Sequence, residues 1–123
     1  MRVLVIDDSA PVRARLVSLL GIELPDALIY ATSSGEAALD FVRSQQIDVI
    51  VLDLHLPGRE GLDLLGALTR ADAAPRVLVL TADATEQHRR ACLALGAEAF
   101  LDKATEFERV AALIMSDNAR APV

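Results

Sequence analysis

The chain is short of several things at once, and each shortage closes off a class of function. It has one cysteine, Cys92, so no internal disulfide can form; within Arg90-Ala91-Cys92-Leu93-Ala94 the thiol reads as a small core residue. Tryptophan is missing, and three phenylalanines and one tyrosine are the only aromatics. With a formal net charge of −6 and no run of lysine or arginine, the sequence offers neither the basic patch nor the stacking rings that grip nucleic acid. No apolar run approaches the roughly 20 residues that span a bilayer, because Asp7, Asp53 and Asp102 cut the hydrophobic stretches short. Met1-Arg2 leads into four apolar residues and two aspartates without a cleavage site, so a signal peptide is not expected and the cytoplasm is the expected location. The two histidines, His55 and His88, do not make a zinc set. Lysine is almost avoided: eleven of the twelve basic residues are arginine, and Lys103 stands alone.

What is present is apolar and periodic. At 123 residues and 53% hydrophobic composition, the chain suits one domain with its own core. Val3-Leu4-Val5-Ile6, Ala27-Leu28-Ile29-Tyr30, Val49-Ile50-Val51-Leu52, Val77-Leu78-Val79-Leu80 and Ala99-Phe100-Leu101 read as five short strands. They have little polar alternation, as in sheets covered on both faces. Helical patterns lie between them. Val12, Leu16, Leu19 and Leu20 line a first helix, with Pro11 suited to its opening turn and Gly21 to its end. Leu62, Leu65 and Leu68 mark another, and Ala91, Cys92 and Leu95, stopped by Gly96, a further one. Phe107, Val110, Ala111 and Ile114 fall on one face of the last. Ser33-x-x-Glu36 and Thr105-x-x-Glu108 have capping-box spacing. Five βα units without repeat or internal linker predict an open parallel sheet with helices on both sides. One domain over residues 1–123 is expected, with a short tail at 116–123.

In open α/β sheets the functional site lies beyond the carboxyl ends of the strands. The residues there are Asp7 and Asp8, Asp53, Thr81, and Asp102-Lys103. If the first and third strands are neighbours, their ends lie about 4.8 Å apart, and three carboxylates share one cleft. Two like charges about 4 Å apart repel by about 4 kcal/mol at an effective dielectric of 20, so the cluster calls for protonation or a cation. Magnesium suits it best, since that ion takes oxygen ligands and usually only one or two carboxylates, leaving one free to react. Singly, each aspartate could be a turn former or helix cap. Asp8 or Ser9 suits the cap of the first helix, and Asp102 is read as a turn residue.

From Val3-Leu4-Val5-Ile6-Asp7-Asp8-Ser9 through Asp53-Leu54-His55-Leu56-Pro57-Gly58-Arg59-Glu60-Gly61 to Thr81-Ala82 and Phe100-Leu101-Asp102-Lys103, the chain resembles, over nearly its whole length, the receiver domain of bacterial two-component response regulators. The resemblance implies a doubly wound, flavodoxin-like α/β fold, with five parallel strands in the order 2-1-3-4-5 flanked by five helices. It implies that Asp53 accepts a phosphoryl group from a sensor histidine kinase or phosphotransfer protein. Asp7 and Asp8 resemble the acidic pair that positions Mg²⁺, with Asp53 and the backbone carbonyl of His55 as further ligands. Lys103 resembles the lysine that pairs with a phosphate oxygen, Thr81 the hydroxyl that moves onto the phosphate, and Phe100 the aromatic that turns inward with it. The face of the fourth helix, fifth strand and fifth helix would then be remodelled to control a downstream protein. On this reading the chain is a signalling phospho-acceptor rather than an enzyme, and of a stand-alone type.

Ala104 departs from the family, which usually has a cis proline after the lysine. A non-proline cis bond costs about 2.5–4 kcal/mol, so a trans or strained Lys103-Ala104 bond is expected. His55 and Asp83 occupy positions that in the family tune phosphate lifetime. The competing reading is a receiver-like binding module that works without phosphorylation. A flavin-phosphate binder is disfavoured because Asp7-Asp8 would repel the phosphate. An aspartyl-phosphate phosphatase would carry an acid/base aspartate where His55 stands.

Overall fold

The computed structural model describes residues 1–56, 59–70 and 73–116. In chain order the elements are β1 (Arg2–Ile6), α1 (Ala10–Glu23), β2 (Leu28–Thr32), α2 (Gly35–Ser44), β3 (Val49–Leu52), β4 (His55–Leu56), β5 (Arg59–Glu60), α3 (Gly61–Thr69), β6 (Arg76–Thr81), α4 (Glu86–Ala94) and β7 (Ala99–Asp102). A 3-10 turn, Phe107–Arg109, then leads into α5 (Val110–Met115). Five strands form one parallel sheet in the order β2-β1-β3-β6-β7. Counted among these five alone, that is the expected 2-1-3-4-5. Residues 117–123, most of the expected tail, lie outside the described residues, as do Pro57 and Gly58 of the motif that begins at Asp53.

The unbroken apolar runs follow from burial on two faces. Successive side chains of a strand point to opposite sides of the sheet. Val3, Val5, Val49, Val51, Leu78 and Leu80 therefore meet Leu16 and Leu20 of α1 and Val110 and Ile114 of α5. Leu4, Ile6, Ile50, Leu52, Val77 and Val79 meet Ala38, Leu64, Leu65, Leu68 and Cys92 on the other side. Only the three inner strands are covered in this way. The edge strand β2 is partly open, with Leu28 53% exposed.

Helix starts and stops adjust the expected boundaries. Ser9 caps α1 through the Val12 N–H, and Pro11 sits in the first turn. Gly21 does not end that helix, which runs on to Glu23, because nothing at this exposed position breaks the ladder. The cap of α2 is Ser34 rather than Ser33: Thr32 Oγ1 accepts the Ser34 N–H at the end of β2, and Ser34 Oγ in turn accepts the Ala37 N–H. Thr105 caps nothing in the last helical segment, which opens instead as a 3-10 turn preceded by Glu106. Gly96, at φ +103, closes α4 as expected.

Two features had no counterpart in the sequence reading. His55–Leu56 and Arg59–Glu60 pair as a small antiparallel ribbon. After it, Gly61 starts α3 so close to the loop after β3 that a Cβ there would lie 2.4 Å from the Leu54 carbonyl oxygen. The second is Arg76, buried at the start of β6. Its guanidinium makes a two-pronged pair with Glu98, at 2.9 and 2.7 Å. It also donates to the carbonyls of Leu113, Ile114 and Ser116, at 2.8, 2.9 and 2.7 Å. One side chain thus joins the start of β6, the approach to β7 and the C-terminal carbonyls of α5, groups a helix end otherwise leaves unbonded. Among the described residues no helix is long and apolar enough to cross a membrane.

Removing one partner of a buried ion pair strands the other charge, at a cost of about 3–5 kcal/mol. Arg76→Met should therefore lower the urea midpoint sharply, and Arg76→Met with Glu98→Met should recover much of the loss. Equal midpoints for the single and double variants would show that Glu98 carries no stranded charge.

Candidate functional site

The parallel register brings the strand ends to one edge of the sheet. Ile6 is paired with Leu52, so Asp7 and Asp53 each follow the last buried residue of neighbouring strands. The Asp53 N–H continues the ladder to the Ile6 carbonyl at 2.9 Å, and the Asp7 N–H continues it to Thr32 at 3.1 Å. Both carboxylates are consequently buried, 2% exposed for Asp7 and 4% for Asp53, whereas Asp8 faces solvent. One carboxylate oxygen from each of Asp7, Asp8 and Asp53 lies within 4.8 Å of the others. The shared cleft inferred from neighbouring strand ends is present.

Lys103 answers the charge. It follows β7, two strands away from Asp53 in the sheet, and its backbone N–H donates to the Thr81 carbonyl at 2.9 Å. From there the long stem crosses the end of β6, and Nζ reaches Asp7 Oδ2 at 2.8 Å and Asp53 Oδ2 at 3.1 Å. Burial pushes the Asp53 carboxyl above the ordinary carboxylate value. The His55 N–H and the lysine pull it back, and the Asp7 charge adds to the rise. For Lys103, burial alone would lower the pKa, but hydrogen bonds to Asp7 and Asp53 and their charges raise it above the ordinary value. The ammonium is held charged, yet it compensates Asp53 only in part.

The other anticipated residues take these places. The His55 N–H donates to Asp53 Oδ1 at 3.2 Å. Thr81 is fully buried at the end of β6, and its Oγ1 accepts the Asp83 N–H at 3.2 Å. Phe100 is half-buried against the core on the α2–α4 side of the sheet. Asp102 is a turn former: Oδ1 accepts the Ala104 N–H at 2.9 Å. The Lys103-Ala104 peptide is trans, there being no cis bond among the described residues.

Several contacts went unforeseen. Asp83 Oδ2 lies 3.6 Å from His55 Nε2 and 3.4 Å from His88 Nδ1, which also lies 3.0 Å from the Asp83 carbonyl, so both histidines sit beside one carboxylate between the loop after β3 and the start of α4. No periodicity links residues 55, 83 and 88, and only the strand-end placement of the first two gave any signal. Arg13 donates to the Asp7 carbonyl at 2.7 Å, behind the acidic pair. Arg15 lies over the Phe107 ring, 4.0 Å from its centroid.

A model of the response regulator receiver domain matches residues 3–115. The chain is 38% identical over 107 residues to the sensory/regulatory protein RpfC of Xanthomonas campestris pv. campestris, a match over 84% of this chain and 14% of that protein. It is 35% identical over 112 residues to the two-component response regulator PhoP of Pseudomonas aeruginosa, over 91% of this chain and 49% of the relative. The chain thus spans half or less of the length of these curated relatives. Among solved structures, the signal receiver domain of a DNA-binding response regulator from Colwellia psychrerythraea superposes with a TM-score of 0.87 at 25% identity, covering 94% of this chain and 95% of that one. The response regulator TrrA of Thermotoga maritima, solved in complex with Mg²⁺-BeF, gives 0.80 at 26% identity, covering 93% and 96%. Because the family match begins in β1 and ends in α5, it takes in the whole sheet that assembles the cleft, and the chain belongs to the response regulator receiver domains of two-component systems.

Proposed function

We propose that Asp53 is the phospho-acceptor of this receiver domain, and that the domain signals by switching the surface formed by α4, β7 and α5. The observation that carries the reading is the treatment of Asp53. It is a buried carboxylate with one oxygen held by a backbone N–H and the other by the chain's single lysine, beside two further aspartates. Three oxygen donors this close, with one member pushed toward protonation, fit a hard divalent cation. Asp7, Asp8, Asp53 and the His55 carbonyl would hold Mg²⁺, which when bound neutralises charge on the transferring phosphoryl group.

The chain's own groups perform the rest. An Asp53 oxygen attacks the phosphorus of a phosphohistidine on a sensor histidine kinase or phosphotransfer protein, forming the P–O bond as the P–N bond breaks. Lys103, already charged and reaching Asp53, pairs with a phosphoryl oxygen; a compact ammonium suits that point contact. Thr81, whose Oγ1 accepts the Asp83 N–H, donates its hydroxyl proton to a phosphoryl oxygen, and Phe100, one strand away on β7, turns inward. The surface so altered controls a protein partner, without direct contact to nucleic acid. Catalysis is limited to the domain's own phosphotransfer and slow dephosphorylation, and the cytoplasm is the proposed location.

Intact mass after treatment with acetyl phosphate tests this reading. One phosphoryl adduct should form with Mg²⁺, fail with EDTA, and be absent from Asp53→Ala. An unmodified wild-type chain would point to a binding module that works without phosphorylation.

The raised Asp53 pKa has a cost in stability. Folded Asp53 holds its proton more tightly than unfolded Asp53, so the stability linked to this group is present below the ordinary value of 3.8 and is lost as pH rises through the folded value. Asp53→Asn should therefore be more stable than wild type at neutral pH, with the gap in urea midpoint narrowing toward pH 4 and on adding Mg²⁺. A pH-independent gap would contradict the linkage.

Asp83 ties two loops flanking the acceptor through His55 and His88. Asp83→Ala should free them and shorten the life of the acyl phosphate several-fold, read as loss of the mass adduct over time; an unchanged or longer lifetime would rule this out.

A further inference from the structure

Lys103 is useful only if its ammonium is aimed, and it stands outside the sheet. β7 ends at Asp102, so the base of the lysine stem lies in the turn that follows. On the inner side the Lys103 N–H bonds the Thr81 carbonyl. On the outer side β7 is an edge strand, and among the described residues no strand lies beside it to receive the Asp102 N–H. Glu106 receives it, Oε1 accepting at 3.0 Å. The turn closes around the same two residues: the Glu106 N–H donates to the Asp102 carbonyl at 2.8 Å, the Thr105 N–H to the same oxygen at 3.3 Å, and the Ala104 N–H to Asp102 Oδ1 at 2.9 Å. Every amide from Asp102 to Glu106 is thereby bonded. Ala104 and Thr105, between the lysine and the glutamate, contribute no ring or fixed torsion of their own, so this lattice is what defines the turn.

We propose that Glu106 is a positioning residue for Lys103: by capping the Asp102 N–H it holds the turn from which the ammonium reaches Asp7 and Asp53. Its second carboxylate oxygen pairs with Arg109 in the following 3-10 turn, which orients the capping oxygen. The role depends on the reading of Asp53 as acceptor only for its effect on phosphotransfer; the placement of the lysine is separate.

The composition makes the test direct. Because Lys103 is the only lysine, labelling with 15N-lysine puts a single side-chain ammonium in the NMR spectrum. The ammonium signal of wild type should be protected from exchange and displaced from that of free lysine by its two carboxylates. In Glu106→Ala, and in Glu106→Asp, which is too short to reach, it should collapse toward the free value; Glu106→Gln, which keeps an acceptor oxygen, should preserve it. Phosphorylation by acetyl phosphate at saturating Mg²⁺ should slow by about tenfold or more in the Ala and Asp variants, since small misplacements of a charged group are costly. Mg²⁺ affinity should hold or rise, since withdrawing the ammonium leaves Asp7 and Asp53 more open to a cation, which separates aim from general damage. An unmoved lysine signal in Glu106→Ala overturns the proposal. So does a Gln variant as impaired as Ala, or a fall in Mg²⁺ affinity that parallels the fall in rate. If wild type takes up no phosphoryl group, the acceptor reading fails, and the lysine signal still decides the role of Glu106.

Discussion

Two carboxylates buried at the ends of adjacent strands repel one another in a medium that screens poorly, and the ammonium of Lys103 between Asp7 and Asp53 is what makes their proximity tolerable. Much of the architecture can be read as the means of arranging that contact. The parallel sheet sets every carboxyl end on one edge, β1 and β3 lie side by side so that the aspartates meet, and β7 is near enough for a lysine stem to cross β6. The compensation is incomplete. Asp53 remains harder to ionise than an ordinary carboxyl because burial outweighs its partners. A site that leaves its central carboxylate under-stabilised favours events that place further positive charge beside it, so the local instability is also a source of affinity for a cation.

The site was legible in the sequence to the extent that topology alone determines it. Asp7, Asp53 and Thr81 each stand directly at the end of an apolar run and Lys103 one residue further on, and in a parallel sheet that position carries its spatial meaning with it. The strands were equally legible, because burial on both faces removes polar alternation and leaves runs such as Val49–Leu52 unmistakable. Helix ends were less so. Ser33 and Ser34 are chemically identical candidates, and the choice fell to the hydroxyl of Thr32, which engages Ser34. Thr105 takes no capping role, since the segment after it opens as a 3-10 turn in which Glu106 turns back to the Asp102 N–H.

What stayed hidden were contacts between residues distant in sequence that share no periodic signal. Arg76 heads an apolar strand and looks like a solvated end, yet it is buried because Glu98, two carbonyls of α5 and the Ser116 carbonyl just beyond that helix are delivered to it by separate segments. The meeting of His55 and His88 at Asp83 likewise depends on how the loop after β3 and the start of α4 are juxtaposed. Interactions of this kind are properties of the assembled fold, and no window of sequence contains them.

The contact of Gly61 with the Leu54 carbonyl, where even a methyl group would collide, gives the cleft unequal walls. Behind Asp53 on that side, backbone rests on backbone at the start of α3, and interiors packed to that degree transmit displacement instead of absorbing it. On the opposite side stand Thr81, Asp83 and the exposed opening turn of α4, joined by single hydrogen bonds and half-solvated charges. If Asp53 is the acceptor proposed above, a group arriving there would push against one stiff jaw and one compliant jaw, and displacement would run toward the compliant side, as in a hinge with a single free leaf.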